Sequence, residues 1–341
     1  MPRSKLRDEV VTLAHGAGGK ATRALVEGLF LQELSNPLLA ELGDAAVGSV
    51  NGSRLAFTTD SYVVRPLFFP GGDIGELAVN GTVNDLAMAG ARPLWLSAGF
   101  VVEEGLAVTD LRRIAASMGA AAERAGVSVV AGDTKVVERG AADGLFVNTA
   151  GLGLVSPAAS LGPDRVRAGD RVLVSGTLGD HGLAVLVARG ELDLEVDLRS
   201  DTAPLHELVA GLLELGESVR WLRDPTRGGL ATALNELVET AGVTVALDET
   251  TLPVRPEVAG ACEILGIDPL YVANEGKLIA VVAPGAAATA LETLRRHPLG
   301  RDAALVGEIR ADADPFVLLD TALGGTRIVD MLVGDPLPRI C

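Results

Sequence analysis

The sequence has few cysteines and lacks long apolar runs. Its 341 residues include two cysteines, Cys262 and Cys341, which are too few for a disulfide framework and agree with a reducing compartment. No apolar run free of Gly, Pro or charge is long enough to cross a bilayer. Residues 1–11 alternate charged with short apolar residues, unlike a secretory signal. We therefore expect a soluble protein of the cytoplasm.

Lysine is also scarce, since Lys5, Lys20, Lys135 and Lys277 are the only lysines among 29 basic residues. The net charge of −16 disfavours nucleic acid and anionic membranes as partners. Three of the lysines, at 20, 135 and 277, lie in glycine-bearing segments where a compact ammonium can approach a phosphate. We interpret them as positions where arginine cannot replace lysine. Chance placement in exposed loops is the alternative.

Length and pattern predict two domains of an α/β fold of the α+β type. A chain of 341 residues exceeds the size at which one core usually stops growing, and the Pro-, Gly- and Ser-rich stretch near residues 156–170 marks a boundary. We predict domains at 1–156 and 157–332, followed by a flexible tail at 333–341. Periodicity predicts strands at 6–14, 54–59, 94–102, 127–131, 145–154, 172–175 and 277–282, and helices at 21–34, 77–89, 109–125, 180–188, 202–215 and 230–240.

The tail differs in kind from the rest of the sequence. Residues 334–341 read GDPLPRIC, and two prolines so close together preclude a helix and disfavour a central strand. In polyproline-like geometry this segment reaches about 25 Å, enough to carry its last side chain into a neighbouring cleft. A thiol there, Cys341, can be loaded at one site and processed at another. An incidental surface thiol is the alternative, whereas Cys262 lies in an apolar helix-like run and is assigned to the core.

Four aspartates of the first half lie at strand ends or in polar turns. They are Asp44, Asp60, Asp85 and Asp133. Carboxylates from several elements are what Mg²⁺ needs when it bridges ATP phosphates. Each aspartate alone is better explained as a turn or helix-cap residue. Taken as a set, they are predicted to bind a metal.

The glycine turn at residues 16–21, GAGGKA, formally fits a dinucleotide-binding pattern. The acidic residue expected about twenty positions later is missing. A P-loop is excluded because Ala14 and Ala21 replace its first glycine and its Ser/Thr. What remains is a set of N–H groups at a helix start beside a lysine, which suits phosphate. The candidate phosphate contacts are His15, Gly16, Gly18, Gly19 and Lys20.

Two later segments carry isolated charges. Residues 224–229, DPTRGG, place Asp224 and Arg227 before a helix, and an arginine held by a glycine turn suits phosphate as well as it suits a structural cap. Glu275 is polar within the apolar stretch 264–282. A partly buried carboxylate has a raised pKa, as a proton-transfer group requires. An ordinary turn carboxylate is the alternative.

Taken together, these segments resemble the HypE family of hydrogenase maturation factors. That family lies within the ATP-binding superfamily of aminoimidazole ribonucleotide synthetase, thiamine-monophosphate kinase and selenophosphate synthetase. The resemblance covers nearly the whole chain, and the ending PRIC distinguishes it from the kinase and synthetase relatives. It is carried by residues 15–19, 59–62, 68–75, 81–86, 132–136, 148–151, 179–182, 224–229, 274–277 and 338–341.

The resemblance implies a two-domain PurM-like fold, with an N-terminal α/β domain whose sheet pairs with its twin in a homodimer and a C-terminal α/β domain that covers an ATP cleft. It implies ATP and Mg²⁺ as cofactors, the carbamoyltransferase HypF as the partner that loads Cys341, and HypC and HypD as acceptors of cyanide. The chain would convert a carboxamide on Cys341 into a thiocyanate. The implied roles are the four aspartates as Mg²⁺ ligands, Lys135 against phosphoryl charge, Glu275 as the base, and Asn148, Asp224, Arg227 and the glycine turn as ATP contacts.

Three other functions stay open on the residues. They are a small-molecule ATP-dependent synthetase or kinase of the same superfamily, an NAD-linked oxidoreductase that uses residues 16–21, and a non-catalytic carrier of a modified cysteine.

Overall fold

Two β-sheets, one from each half of the sequence, organise the chain. The computed structural model describes residues 6, 8–190, 197–332, 334, 337 and 339–341. The strands are β1 Ala46–Val50, β2 Ser53–Tyr62, β3 Phe68–Phe69, β4 Gly72–Asp73, β5 Ala91–Glu103, β6 Ser128–Val137, β7 Leu145–Val155, β8 Arg171–Val174, β9 Val219–Arg223, β10 Thr244–Asp248, β11 Ile279–Val282, β12 Ala304–Arg310, β13 Val317–Asp320 and β14 Thr326–Ile328. The helices are α1 Lys20–Leu25, α2 Leu31–Glu33, α3 Ile74–Met88, α4 Val108–Arg124, α5 Asp180–Ala188, α6 His206–Leu213, α7 Gly229–Ala241, α8 Pro256–Leu265 and α9 Ala287–Arg296.

The sheet of the first half has the order β1-β2-β7-β5-β6, with β5 and β6 parallel and the other neighbours antiparallel. Helix α3 packs on one face, and Asp73 caps it by accepting hydrogen bonds from the N–H groups of Gly75 and Glu76. A Cβ at Gly81 would lie 2.1 Å from Tyr62 Oη, so glycine permits this close packing. On the opposite face, Phe57 and Trp95 are each 54% exposed.

The sheet of the second half has the order β14-β13-β10-β12-β8-β11-β9. Strands β8 and β11 are adjacent interior strands of this sheet, and their side chains pack on both faces. Leu173 packs with helices α6 and α9, whereas Val172 and Val174 pack with α7. Leu86 of α3 shares the first of these cores with Leu205, so the two halves pack directly against each other.

The mixed architecture confirms the predicted α/β fold class, and most predicted elements differ from the observed ones by only a few residues. The strand predicted at 6–14 is wrong. Among residues 6 and 8–14 no strand forms, and a short 3₁₀ helix occupies Leu13–Gly16. Val10, Val11 and Leu13 stay largely exposed, so their apolar character reflects no sheet position. The helix predicted at 21–34 is interrupted by a π-helical turn at Val26–Phe30.

The described tail residues form backbone hydrogen bonds with the first half. The N–H of Arg65 donates to the carbonyl oxygen of Arg339 at 3.2 Å, and the N–H of Val63 donates to the backbone oxygen of Cys341 at 3.1 Å. Ile340 is buried. The predicted extended arm is therefore docked at its far end in this structure. Across the described part of the chain, no helix combines the length and apolar character needed to span a membrane.

Candidate active site

Three carboxylates from both halves of the chain meet in one cluster. Asp44 precedes β1, Asp85 lies on α3, and Asp224 follows β9. One oxygen of each lies within 4.8 Å of the others. The Thr58 hydroxyl donates to Asp85 Oδ2 at 2.7 Å, while Asp224 Oδ2 is buried without a hydrogen bond to any described residue. The cluster thus presents oxygen atoms that internal contacts leave unsatisfied.

The electrostatics of this cluster favour a bound cation. Burial raises the pKa of Asp44 to about 6, with Arg223 opposing that rise from 3.0 Å. Burial and then the neighbouring carboxylate of Asp224 raise the pKa of Asp85 well above its ordinary value. The pKa of Asp224 is likewise raised by burial and then by Asp44. Like charges at this spacing repel unless a proton or a cation lies among them. Three convergent carboxylate oxygens are a ligand set that suits Mg²⁺.

A cavity of about 350 Å³ opens from the cluster. It extends from the glycine turn and helix α1, represented by Gly18 and Thr22, to helix α7, and it includes Asp60. Arg227 lines this cavity and also a second pocket. The two spaces are therefore neighbours that share one guanidinium.

The second pocket holds Cys341, together with Gly16, Ser61 and Arg227. Arg227 Nη2 lies 3.2 Å from Asp60 Oδ1, so the cation has a fixed anionic partner. Burial raises the pKa of the Cys341 thiol to about 12, although the charge of Arg227 acts in the opposite direction. In this position the thiol is protonated at neutral pH.

Glu275 is buried near Cys341 and the acidic cluster. Its side-chain Oε1 makes no hydrogen bond with the described residues, although its N–H donates to Asp201 Oδ1 at 3.0 Å and its carbonyl accepts from Asn84 Nδ2 at 3.0 Å. Burial, followed by the charges of Asp224 and then Asp60, raises the pKa of this carboxyl well above its ordinary value. A buried carboxyl group with one oxygen, Oε1, that lacks a hydrogen-bond partner therefore lies near Cys341, as a proton-transfer group requires.

The glycine turn is held tightly by other segments. A Cβ at Gly18, where φ is +80°, would lie 2.6 Å from Arg227 Cβ, and one at Gly19 would lie 2.3 Å from the carbonyl oxygen of Leu332. His15 is buried, and its Nδ1 accepts from the N–H of Thr12 at 3.1 Å. These contacts fix the turn beside both pockets.

Lys20 pairs with a residue outside the turn. Its ammonium forms an ion pair with Asp330 at 2.7 Å, and about half of its side chain is exposed. The described contact of Lys20 is therefore a surface ion pair at the start of α1.

Three predicted residues lie on the open face of the first sheet. Asn148 donates to the carbonyl of Asp60 at 2.9 Å and pairs with Gly99, which pairs in turn with Asp133. Asp133 and Lys135 contact each other at 2.7 Å and are each about two-thirds exposed. Strand β6 lies three strand spacings from β2, about 14 Å. Within one chain, Asp133 does not join the other aspartates and Lys135 does not reach Cys341.

Sequence reasoning missed two residues that shape the site. Arg223 pairs with Asp44 and, at 2.7 Å, with Glu236. It directly precedes the predicted site residue Asp224, and this position in the sequence could have identified it. Asp201 accepts from the backbone of Glu275 and lies 3.1 Å from Lys277 Nζ. Its surroundings in sequence carry no recognisable motif.

Comparison with known proteins shows the family of both halves of the chain. Residues 42–155 match the family described as AIR synthase related protein, N-terminal domain, and residues 167–320 match AIR synthase related protein, C-terminal domain. The carbamoyl dehydratase HypE of Rhodobacter capsulatus is 56% identical over 339 residues, which cover 98% of this chain and 99% of the relative.

Two solved structures are also similar along nearly their full length. One is a crystal structure of the hydrogenase maturation protein HypE in complex with ATP. It has a TM-score of 0.82 at 49% identity, and the match covers 97% of this chain and 100% of the other chain. The other, a crystal structure of a HypE–HypF complex, has a TM-score of 0.86 at 48% identity and covers 91% and 100%. The chain therefore belongs to the HypE family of carbamoyl dehydratases.

Proposed function

We propose that this chain uses ATP to dehydrate a carboxamide carried on Cys341, giving the thiocyanate from which the cyanide ligand of [NiFe]-hydrogenase iron is made. The observation that carries the proposal is the position of Cys341, in a pocket that shares Arg227 with the acidic cavity. A carrier alone would need no such neighbour. The ATP complex of a HypE relative with the same fold supports ATP as the occupant of the cavity.

Asp44, Asp85 and Asp224 fit a divalent cation, because their oxygens converge and one of them is buried without a partner. We infer that they would hold Mg²⁺. When bound, Mg²⁺ would neutralise phosphate charge. Asp60 lines the same cavity but lies outside this set of converging oxygens, and it pairs with Arg227 at 3.2 Å.

The dehydration needs a better leaving group than an amide oxygen. Transfer of the ATP γ-phosphoryl group to that oxygen releases ADP and, with loss of one of the two N–H protons, gives an O-phosphorylated imidate. Cleavage of the C–O bond then expels phosphate as the remaining N–H proton leaves, and a nitrile forms. Glu275 is placed to accept a proton because its Oε1 lacks a hydrogen-bond partner and its charge acts on nearby Cys341. Arg227 is placed to offset negative charge on the transferred group.

Loading of Cys341 requires a different tail position. A thiolate is the nucleophile, and the docked thiol has a pKa of about 12. We infer that the tail leaves its pocket to receive the carbamoyl group and returns for dehydration. The structure of a HypE–HypF complex supports HypF as the partner that supplies the group. HypC and HypD remain the proposed acceptors of cyanide. We also keep the cytoplasm as the proposed location, with which free thiols at Cys262 and Cys341 agree.

We also propose a homodimer formed through the open face of the first sheet. Leu152 of β7 pairs with Phe57 of β2 on one side and with Trp95 of β5 on the other. These three apolar residues form a row across this face. Along the edge strand β6, Val130 is 59% exposed. Apolar sheet faces and unpaired edges are usually covered by a partner. Dimerisation would place Asp133 and Lys135 at an interface, and their proposed roles against phosphate would depend on that second chain.

The decisive experiment follows the mass of the C-terminal peptide. The chain is incubated with the carbamoylating partner and then with or without ATP. We expect the carboxamide adduct to persist without ATP and to lose one water with it. An adduct that loses water without ATP, or keeps it when ATP is hydrolysed, would contradict the proposal. Turnover of a free small molecule independent of Cys341 would favour a synthetase or kinase instead.

Substitution of Asp85 by asparagine tests the cation site. We expect Mg²⁺-dependent ATP turnover to fall by about two orders of magnitude, since a neutral amide replaces a carboxylate facing a phosphate-bound cation. Thr58 can still hydrogen-bond the amide oxygen, so the fold should persist. Turnover is measured against Mg²⁺ concentration, with Asp110→Asn on the first turn of α4 as a matched control. Normal turnover in a folded Asp85→Asn variant would remove Asp85 from the site.

A further inference from the structure

The docked tail is held by donors from both halves of the chain. From the first half come the N–H groups of Val63 and Arg65, described above. From the second half, Arg189 Nη2 donates to the carbonyl oxygen of Arg339 at 3.0 Å, and His181 Nε2 lies 3.0 Å from the carbonyl oxygen of Ile340. His181 is the second residue of helix α5, and Arg189 directly follows the last residue of that helix. One helix therefore presents two contacts to consecutive peptide groups of the tail.

The protonation state of His181 follows from its partners. A carbonyl oxygen can only accept, so Nε2 must carry the proton that reaches Ile340. The imidazole is fully buried, and burial lowers its pKa, so the ring is neutral and Nδ1 is an acceptor. Ser200 Oγ lies 2.8 Å from Nδ1 and must donate to it. The same Oγ accepts from the N–H of Thr202 at 3.1 Å. The donors and acceptors thus run in one direction, from Thr202 to the tail.

The supporting serine is itself fixed in place. The N–H of Ser200 donates to the carbonyl of Pro70 in the first half at 2.8 Å. The neighbouring Asp201 accepts from the N–H of Glu275. One short segment, residues 200–202, therefore supports both the imidazole that touches the tail and the backbone of the proposed base.

We propose that His181 is a positioning residue that clamps the peptide group immediately before Cys341 and so aligns the carboxamide on its thiol with Glu275. This inference rests on the proposed function for its chemical consequence. The clamp itself concerns only the docked tail. Ser200 selects the imidazole tautomer that donates to Ile340. Without that hydrogen bond, the last peptide group can rotate and the thiol spends less time in its pocket.

Alkylation of Cys341 by iodoacetamide measures the clamp without any turnover. The thiol reacts as its thiolate, so a docked thiol of high pKa reacts slowly. In the full-length chain, His181→Leu should raise the rate at Cys341 about tenfold, the equivalent of about 1.4 kcal/mol for one lost buried hydrogen bond. His181→Gln can place an amide N–H near the position of Nε2 and should restore most of the protection. Ser200→Ala should fall between the two.

Internal and matched controls separate the clamp from general unfolding. Cys262 is buried, with a thiol pKa raised to about 11 by burial, and should stay unreactive in every folded variant. His206→Leu, on α6, tests a partly buried histidine outside the tail contacts described above and should leave the Cys341 rate unchanged. A wild-type rate at Cys341 in folded His181→Leu, or an equal increase in His206→Leu, would overturn the proposal.

A second readout links the clamp to the reaction. In single turnovers of the carbamoylated chain, His181→Leu should slow water loss about tenfold while the Kd for ATP is unchanged, with His181→Gln closer to wild type. Normal water loss in His181→Leu would show that the clamp does not position the carboxamide. If wild-type chain never loses water, the proposed function fails, yet the alkylation rates still test the clamp.

Discussion

Replacing Cys341 with serine should abolish acceptance of the carbamoyl group while leaving ATP binding intact. A hydroxyl is a far weaker nucleophile than a thiol at neutral pH, because so little of it ionises. The two side chains are nearly isosteric, so the tail contacts through backbone groups at 339–341 should persist. Intact mass after incubation with the carbamoylating partner should therefore show no adduct, against full modification of the wild-type chain.

The matched control for this variant is Cys262→Ala. Cys262 is buried in α8, so its loss should affect stability but not the reaction. ATP binding, followed by calorimetry, should be equal in both variants and in wild type. A carbamoyl adduct on the serine variant, or loss of the adduct in folded Cys262→Ala, would mean that Cys341 is not the carrier.

The second large effect is expected from Glu275→Gln. The carbamoyl group should load normally, and its ATP-dependent dehydration should then slow by about 10²- to 10⁴-fold, the usual contribution of a positioned general base. Glutamine keeps the shape and the backbone bonds to Asp201 and Asn84, so the pocket should remain formed. Single-turnover mass analysis separates the two stages because loading and water loss change the peptide mass differently.

The pH dependence distinguishes a base from a merely structural carboxyl. A base acts only when deprotonated, so the wild-type dehydration rate should rise with pH through the pKa of Glu275. That pKa lies above the ordinary 4.5, because burial and then Asp224 raise it. The glutamine variant should lose this rise. If Glu275→Gln dehydrates the carboxamide at the wild-type rate, or if its rate still rises with pH as in wild type, another group removes the proton.

The sequence predicted the scaffold better than the site, for reasons visible in particular elements. Helix α3 was predicted at 77–89 and lies at Ile74–Met88, because a local apolar pattern and a cap decide a helix. The glycine turn was placed correctly beside a helix start for the same local reason. The strand prediction at 6–14 was wrong because the apolar pattern alone does not show whether a neighbouring strand exists to pair with it.

Membership of the site depends on contacts between distant segments. Asp224 was interpreted as an ATP contact, yet the packing of the two halves brings it to Asp44 and Asp85. Asp133 resembled those aspartates in sequence, but its strand lies at the far edge of the sheet. Nothing local distinguishes these two cases. The recognisable ending of the sequence indicated a carrier thiol, whereas its docking against Val63 and His181 required the folded chain.

The composition of the acidic cluster couples ligand binding to the arrangement of the two halves. Two of its carboxylates belong to the first half and the third to the second, so their mutual repulsion acts across the boundary and pushes the halves apart. Positive charge entering the cluster removes that repulsion and holds the boundary closed. If a cation binds there as proposed, its binding and the docking of the two halves would be one linked equilibrium, and part of its affinity would offset the repulsion between Asp224 and the two carboxylates of the first half.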